Sequence, residues 1–309
     1  MSKQSPSQAA LGIRRGDRVW VWAVRVWWAA LPFSAGPILA DGLHHTAFAW
    51  RSTASLGAWV IWALVLMGSL IVHPATLLLT RMALSAAVAA LLWAGMTDAA
   101  WIDAGLMAAI TAGIAAIALS APVGHVYVNG ISYGSEVRLL LRPPVVLLLA
   151  PIPAAAFLGV AGFVGGPLLL SAQHWTLGAV AMPLGLVLAV ISIRSLYALT
   201  QRWLVFVSAG VVLHDHLAIQ DPLLLHRKVV ASFCPAQQGT NAVDLTQGAA
   251  GLILQVSAKQ QIALSPAKRP HRFGAKKQPQ ISNTQAEALL VAPSRPGMAV
   301  ALARQRLLD

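Results

Sequence analysis

Five runs of apolar residues dominate this chain, and each is long enough to cross a lipid bilayer as a helix. About 20 residues are needed for a crossing, because a helix rises roughly 1.5 Å per residue and the hydrocarbon core is about 30 Å thick. The runs are residues 55–72, 75–96, 104–121, 144–164 and 176–193. Arg81 is the only charged residue within them. The pattern predicts an α-helical transmembrane bundle.

A sixth run, residues 19–40, is less regular because it contains Arg25, Pro32 and Pro37. Proline kinks a helix, but neighbouring helices can satisfy the freed carbonyl groups. The composition agrees with about six spans, since 57% of the residues are hydrophobic and 10% are charged, against about 25% charged in soluble domains. A signal peptide cleaved before Asp41 is the alternative for the first run, and the long leading segment and Arg25 disfavour it.

Lysine and arginine are unevenly distributed along the chain. Residues 1–18 hold four of them, residues 19–196 six and residues 197–309 twelve. With a cytoplasmic N-terminus, the predicted outer loops carry only Arg51, and Arg81 lies close enough to an inner helix end to snorkel. This is the asymmetry of the positive-inside rule. The sequence therefore predicts a cytoplasmic segment 1–18, a six-span domain 19–196 in the cell membrane and a cytoplasmic domain 197–309.

Small residues recur four positions apart in three of the predicted spans. They are Gly105, Ala109 and Gly113, then Ala155 and Gly159, then Ala181 and Gly185. Such stripes allow helix backbones to approach closely. We expect them to pack within the bundle, with dimerisation as the alternative.

The loop PVGHVYVNGISYGSEVRLLLRPP joins the fourth and fifth predicted spans. Asn129-Gly130 is a strong turn signal between two β-forming triplets, so a short hairpin is predicted there. Tyr133, Glu136 and Arg138 follow it. We expect these three residues to dock the tail or a partner. The alternative is that the arginine only fixes the topology.

The stretch WLVFVSAGVVLHDHLAIQD, residues 203–221, is too short before His214 to cross the membrane as a helix. Its β-forming residues flank Ser208-Ala209-Gly210 and predict a hairpin. Further strands are predicted at 223–225, 229–230, 242–245, 252–256, 261–264 and 288–292. A final helix is predicted, with Ser294 as its cap and Pro296 in its first turn. The tail is therefore expected to be a small β-rich domain with a C-terminal helix.

This tail resembles the bacterial pleckstrin-homology-like (PH-like) domains that follow membrane spans. The resemblance lies in RWLVFVSAGVVL, DPLLLHRKVVAS and LLVAPSRPGMAVALARQRLL. The whole chain is similar to a group of uncharacterised actinobacterial polytopic integral membrane proteins, through VNGISYGSEVRLLLRPP and RWLVFVSAGVVLHD. The resemblance implies a PH-like fold that binds lipid, peptide or a partner protein. It implies no catalytic residues.

A basic loop, residues 265–285, interrupts the predicted strands of the tail and contains no acid. Its candidate contact residues are Lys268, Arg269, Arg272, Lys276 and Lys277. We expect a solvated loop or a contact with anionic lipid headgroups, which attract basic residues by about 1 kcal/mol each near the surface. Nucleic acid is not expected as a partner, because only Phe273 accompanies the charges as a stacking aromatic.

The sequence does not predict a metal site. His214 and His216 share one face of a predicted strand, with Asp215, Asp221 and His226 near them in sequence. Zinc, however, needs three or four converging ligands and a supporting second shell.

Catalytic and transport chemistry are also poorly represented. The five clear runs contain no Asp, Glu or His, and no Walker loop, HExxH or GxSxG motif is present. The single cysteine, Cys234, is interpreted as a small buried apolar residue and not as a nucleophile. We expect a non-enzymatic scaffold without a cofactor, whose tail recruits a membrane-protein partner or binds the inner leaflet. The alternatives are a transporter or channel for a neutral or apolar solute, and an enzyme using Asp41, His44, His45 and Asp98 on the outer side.

Overall fold

The chain forms two compact units in the computed structural model, which describes residues 15–97, 100–265, 267 and 284–308. Among these, the helical unit comprises residues 15–131 and 150–200, and the β unit comprises residues 132–149 and 201–308. The chain therefore passes between the units after residues 131, 149 and 200. The predicted boundary between the membrane domain and the tail, at residue 196, differs from the observed division in two respects. The loop 132–149 belongs to the β unit, and the last apolar helix continues to Thr200.

The helical unit is built from apolar helices. In chain order the helices are α1 Arg15–Ser34, α2 Gly36–Gly42, α3 Phe48–Leu70, α4 Pro74–Gly95, α5 Trp101–Leu119, α6 Ala121–Asn129, α7 Val145–Leu149 (in the β unit), α8 Pro151–Ser171 and α9 Trp175–Thr200. Within the described residues, α3, α4, α5, α8 and α9 are long and apolar enough to cross a membrane. If the pair α1–α2, which is bent by 44° at its break, forms one span, the number of candidate spans is six. The prediction of a multi-pass membrane protein is confirmed at this level of five or six spans.

The fifth predicted span is displaced along the chain. The apolar run predicts a crossing at 144–164, whereas α8 runs from Pro151 to Ser171. The displacement arises because α7 belongs to the β unit. Gly166-Pro167, which follows the predicted run 144–164, therefore lies inside α8. Proline removes one backbone N–H from the helix, and packed membrane helices tolerate this loss.

Helices α1 and α3 are joined by a reciprocal pair of hydrogen bonds. Trp28 Nε1 donates to the carbonyl oxygen of Trp62 at 3.0 Å, and Trp62 Nε1 donates to that of Trp28 at 2.9 Å. Val24, Val65 and Leu84 belong to the apolar core beside them. Both indole N–H groups are thus satisfied within the unit, as buried tryptophan requires.

Helices α8 and α9 approach each other closely at Gly162 and Gly185. A Cβ atom at either glycine would meet the backbone carbonyl oxygen of the other. Gly159 and Gly185, from two of the predicted stripes, are buried. These stripes therefore pack within the unit, as expected.

The remaining stripe, on α5, is exposed at Gly105, Ala109 and Gly113. Nothing lies within 4 Å of a Cβ atom built at Gly105 or Gly113. The expectation that this stripe packs inside the bundle is therefore wrong.

Gly185→Val is expected to lower the melting temperature of the protein, because the new side chain forces α8 and α9 apart. Overpacking costs about 1–3 kcal/mol, which corresponds to a decrease of roughly 2–10 °C for a chain of this size. Gly113→Val makes the same chemical change on α5 in open space and is expected to have a much smaller effect. The melting temperatures of the two variants are measured by thermal unfolding in detergent, with tryptophan fluorescence as the signal. Equal melting temperatures for the two variants would contradict the close approach.

The β unit contains two four-stranded sheets. The strands are β1 Val137–Leu140, β2 Trp203–Val207, β3 Gly210–His214, β4 Leu223–His226, β5 Val230–Pro235, β6 Val243–Asp244, β7 Leu254–Leu264 and β8 Thr284–Val291. The first sheet has the antiparallel order β1-β2-β3-β4. The second has the order β5-β7-β8-β6, with β6 parallel to β8. Helix α10 (Pro296–Ala303) and a π-helical turn (Arg304–Leu308) follow, so a β-rich tail with a terminal helix is confirmed.

Strand β1 carries the loop between α6 and α8 into the first sheet. Val137 lies opposite Phe206 of β2, and Leu139 lies opposite Leu204. All four side chains are buried in an apolar core to which both sheets and the terminal helix contribute. The β unit is therefore assembled from a loop and the tail, and not from the tail alone.

Three local predictions are wrong. Cys234, expected to be buried, is exposed on β5. The hairpin at Asn129-Gly130 does not form, because residues 126–128 lie in α6 and Gly130 is the C-terminal cap of that helix. Residues 126–128 are buried, and packing within the helical unit overrides their β propensity. Ser294 is not the cap of the last helix, since Arg295 occupies that position and makes no side-chain capping bond.

Candidate functional site

A buried ion pair joins the start of the tail to the end of β3. Arg202 donates from Nε to Asp215 Oδ1 and from Nη2 to Asp215 Oδ2, both at 2.7 Å. Arg202 Nη1 also donates to the carbonyl oxygen of Arg142 at 3.2 Å, and Asp215 Oδ1 accepts from Leu217 N at 3.1 Å. Asp215 therefore accepts three hydrogen bonds, two of them from Arg202. The pair was not predicted, because thirteen residues separate its members.

The predicted contact residues of the loop separate into a bonded pair and an exposed tyrosine. Arg138 donates to Glu136 Oε2 from Nε at 3.4 Å and from Nη2 at 3.1 Å. Its guanidinium lies over the ring of Trp203, 5.3 Å from the centroid. Tyr133 is 80% exposed. Arg138 thus contacts β2 of the tail, while Tyr133 faces solvent. The basic candidates Lys268, Arg269, Arg272, Lys276 and Lys277 lie outside the described residues.

His214 and His216, at and just after the end of the β2–β3 hairpin, do not form a metal centre with their neighbours. His214 packs edge-to-face against Trp203, with 5.6 Å between ring centroids. Burial lowers the pKa of His214, His216 adds to the decrease, and Asp215 opposes it. Across the part of the chain that the structure describes, no three His, Cys, Asp or Glu side chains are grouped to hold a metal ion.

A shallow, open depression of about 310 Å³ lies on the surface of the β unit, and we call it the arginine cleft. It is lined by Ser135, Ser208, Arg227, Gln305 and Arg306. Arg306 Nη1 donates to the carbonyl oxygens of Ser135 at 2.6 Å and Phe206 at 3.1 Å, which fixes the guanidinium in place. Burial lowers the pKa of Arg306. None of the five lining residues is acidic, so the cleft offers guanidinium, hydroxyl and amide donors that suit an oxyanion.

Four separate segments of the β unit supply the arginine cleft. Ser135 precedes β1, Ser208 lies in the β2–β3 turn, Arg227 follows β4, and Gln305 and Arg306 lie in the π-helical turn. Arg227 N donates to Ala209 O at 2.9 Å, which joins the end of β4 to the hairpin turn. Sequence reasoning missed the site because these segments are distant along the chain. The basic residues that directly follow β4 and α10 were the available signal.

The outer residues of the enzyme alternative are only partly described. The rings of His44 and His45 contact each other edge-to-face, with 5.1 Å between centroids. Asp98 lies outside the described residues. A second cavity, of about 460 Å³, lies at α2 and α3 and is lined by Arg51, Ser52, Ser55 and apolar side chains. It does not include either histidine.

Comparison of the chain with protein-family models, with curated proteins and with solved structures finds no match. What the geometry itself shows is a multi-pass chain whose β unit is built from a loop and a tail, with a cationic cleft on its surface.

Proposed function

We propose that this chain is a non-enzymatic membrane scaffold whose β unit, a PH-like domain, recruits a partner protein through an acidic segment. The arginine cleft is the observation that carries the proposal. Two arginines and two serines are among its lining residues, and no carboxylate is. Charge-assisted hydrogen bonds from arginine to carboxylate are about twice as strong as neutral ones and are directional. An acidic side chain or terminal carboxylate is the complementary ligand.

A protein partner suits the surroundings of the cleft better than a lipid does. Tyr133, which is 80% exposed, lies two residues before Ser135 of the cleft. Tyrosine and arginine are enriched at protein interfaces, and they dominate the residues that carry binding energy. The β unit is assigned to the cytoplasmic side of the cell membrane on the distribution of lysine and arginine along the sequence.

Arg227→Gln is expected to weaken binding of an acidic peptide by about tenfold or more, because one charge-assisted hydrogen bond is lost. Arg227 is chosen because it is exposed. Arg306 is less suitable because it donates hydrogen bonds to two backbone carbonyl oxygens. The measurement is fluorescence anisotropy with a fluorescein-labelled hexaglutamate peptide. The full-length protein is held in phosphatidylcholine nanodiscs.

Lys228→Gln is the matched control, since it removes the same charge from the adjacent exposed residue, which does not line the cleft. It is expected to change the affinity less than twofold. Equal weakening by both substitutions would reduce the binding to a general charge effect and overturn the proposal. A second arm uses native mass spectrometry of the detergent-solubilised protein with added phosphatidylglycerol. Phosphatidylglycerol that the wild type retains and Arg227→Gln loses, together with no binding of hexaglutamate, would identify the inner leaflet as the occupant instead.

A further inference from the structure

Two arginines of the helical unit donate hydrogen bonds to carbonyl oxygens near the ends of apolar helices, and a tyrosine shares one of these oxygens. Arg25 of α1 donates from Nη2 to the carbonyl oxygen of Ser69, and Tyr127 OH of α6 lies 3.3 Å from the same oxygen. Arg81 of α4 donates from Nε to the carbonyl oxygen of Ala118 at 2.8 Å. Val21 and Leu77, about one helical turn before Arg25 and Arg81, pack with Tyr127 in one apolar core. We call this group the intramembrane arginine cluster.

The carbonyl oxygens explain why the two arginines are tolerated among apolar helices. Ser69 and Ala118 lie in the last turns of α3 and α5, where helix carbonyls lack intrahelical partners. A helix C-terminus carries roughly half a negative charge. The two helix ends therefore supply about one negative charge between them, against the two positive charges of Arg25 and Arg81. About one positive charge remains uncompensated.

No carboxylate corrects this imbalance in the part of the unit that the structure describes. Neither Arg25 nor Arg81 forms a salt bridge there. Nε of Arg25 is moreover buried without a hydrogen-bond acceptor. Unpaired charge inside a membrane is expensive, and such residues normally have a partner. The cluster therefore lacks both a counter-charge and an acceptor.

We propose that the intramembrane arginine cluster binds the phosphate group of one anionic phospholipid. Arg25 is partly exposed, and its guanidinium lies 5.3 Å from the ring centroid of Trp22, which is 58% exposed. Trp22 gives the cluster an open side towards the surrounding lipid, and tryptophan prefers the headgroup layer. A phosphodiester group supplies the negative charge that the two arginines lack, and it can approach the cluster at the exposed part of the Arg25 side chain. Basic pockets between transmembrane helices bind anionic headgroups in this way.

The test is thermal unfolding of the full-length protein in a neutral detergent with added phosphatidylglycerol, phosphatidylcholine or inorganic phosphate. Phosphatidylglycerol is expected to raise the melting temperature of the wild type by on the order of 5 °C at saturation. Phosphatidylcholine and phosphate are expected to have little effect. Arg25→Gln and Arg81→Gln are each expected to abolish most of the phosphatidylglycerol shift.

Arg194→Gln is the matched control, because Arg194 is an exposed arginine of α9 outside the cluster. It is expected to keep the full shift. If the glutamine variants unfold during purification, Arg25→Met and Arg81→Met remove the charge and keep an apolar side chain, and native mass spectrometry counts the retained phosphatidylglycerol, which is expected to fall at least several-fold. An equal shift with phosphatidylcholine, an equal shift with phosphate, or unchanged lipid retention in the cluster variants would each overturn the proposal. Arg227→Gln, in the arginine cleft, is also expected to keep the full shift, which distinguishes lipid bound at the cluster from lipid bound at the cleft.

Discussion

Asp215→Ala is expected to lower the free energy of unfolding of the β unit by about 3–5 kcal/mol. The substitution leaves the Arg202 guanidinium, which is 1% exposed, without its two-bond partner. A buried charge that loses its partner cannot be rescued by water, so the desolvation cost of the cation is no longer offset. Pulse proteolysis in urea, applied to the full-length protein in nanodiscs, measures the change as a lower midpoint for digestion of the tail.

Glu136→Ala is the control for this prediction, because it also removes a carboxylate from an arginine but at a partly exposed pair. It is expected to cost less than about 1 kcal/mol. The double substitution Arg202→Met with Asp215→Leu is expected to recover most of the lost stability, since an apolar pair carries no desolvation cost. If Asp215→Ala were no more harmful than Glu136→Ala, the pair would not be buried as described.

Leu139→Ala is expected to destabilise the β unit by about 2–5 kcal/mol, although the residue lies in a loop between two apolar helices. Leu139 is fully buried opposite Leu204, in the core that both sheets share. The loss of volume leaves a cavity, and the effect is expected in the tail. Faster digestion of residues 201–308 by protease, measured in intact membranes, reports it.

Leu140→Ala provides the comparison, because Leu140 is only partly buried on the opposite face of β1. Leu140→Ala is expected to destabilise the β unit clearly less than Leu139→Ala does. A separately expressed fragment of residues 201–309 lacks β1 altogether, and it is expected to show no cooperative unfolding transition by circular dichroism. A well-folded fragment, together with equal effects of the two alanine substitutions, would mean that the tail folds without the loop.

The sequence predicts the membrane helices well, because one physical requirement dominates them. A run of about 20 apolar residues is sufficient evidence for a helix that can cross a bilayer, and the predicted runs all reappear as long helices. Their ends are less well determined. The run at 144–164 was displaced because apolarity does not distinguish α7, which belongs to the β unit, from the membrane helix that begins at Pro151.

The strand predictions show a similar limit. The β2–β3 hairpin forms around its two-residue turn, with Val207 opposite Gly210, because local sequence specifies both the turn and the flanking strands. The segments 252–256 and 261–264 instead join in one strand, β7, which has a register irregularity between Ser257 and Ile262. Whether residues between two β-forming segments bend or continue depends on the neighbouring strand, here β8, and that pairing is not local.

The candidate sites depend most on tertiary structure. Glu136 and Arg138 are two residues apart, and their proximity follows from the sequence alone. The arginine cleft and the intramembrane arginine cluster each bring together residues from separate segments. Composition identifies the cations, but only the fold determines which of them meet and which lack a counter-charge.

The pairing of β1 with β2 has a consequence for biosynthesis. Strand β1 leaves the ribosome before α8 and α9, and its partner β2 leaves after them. The first sheet therefore cannot close until both helices have entered the bilayer and returned the chain to the face from which it departed. A chain in which either helix fails to insert would hold the two halves of one sheet on opposite faces of the membrane. Its unfilled core would then remain exposed to chaperones and proteases, which remove unfolded chains continuously.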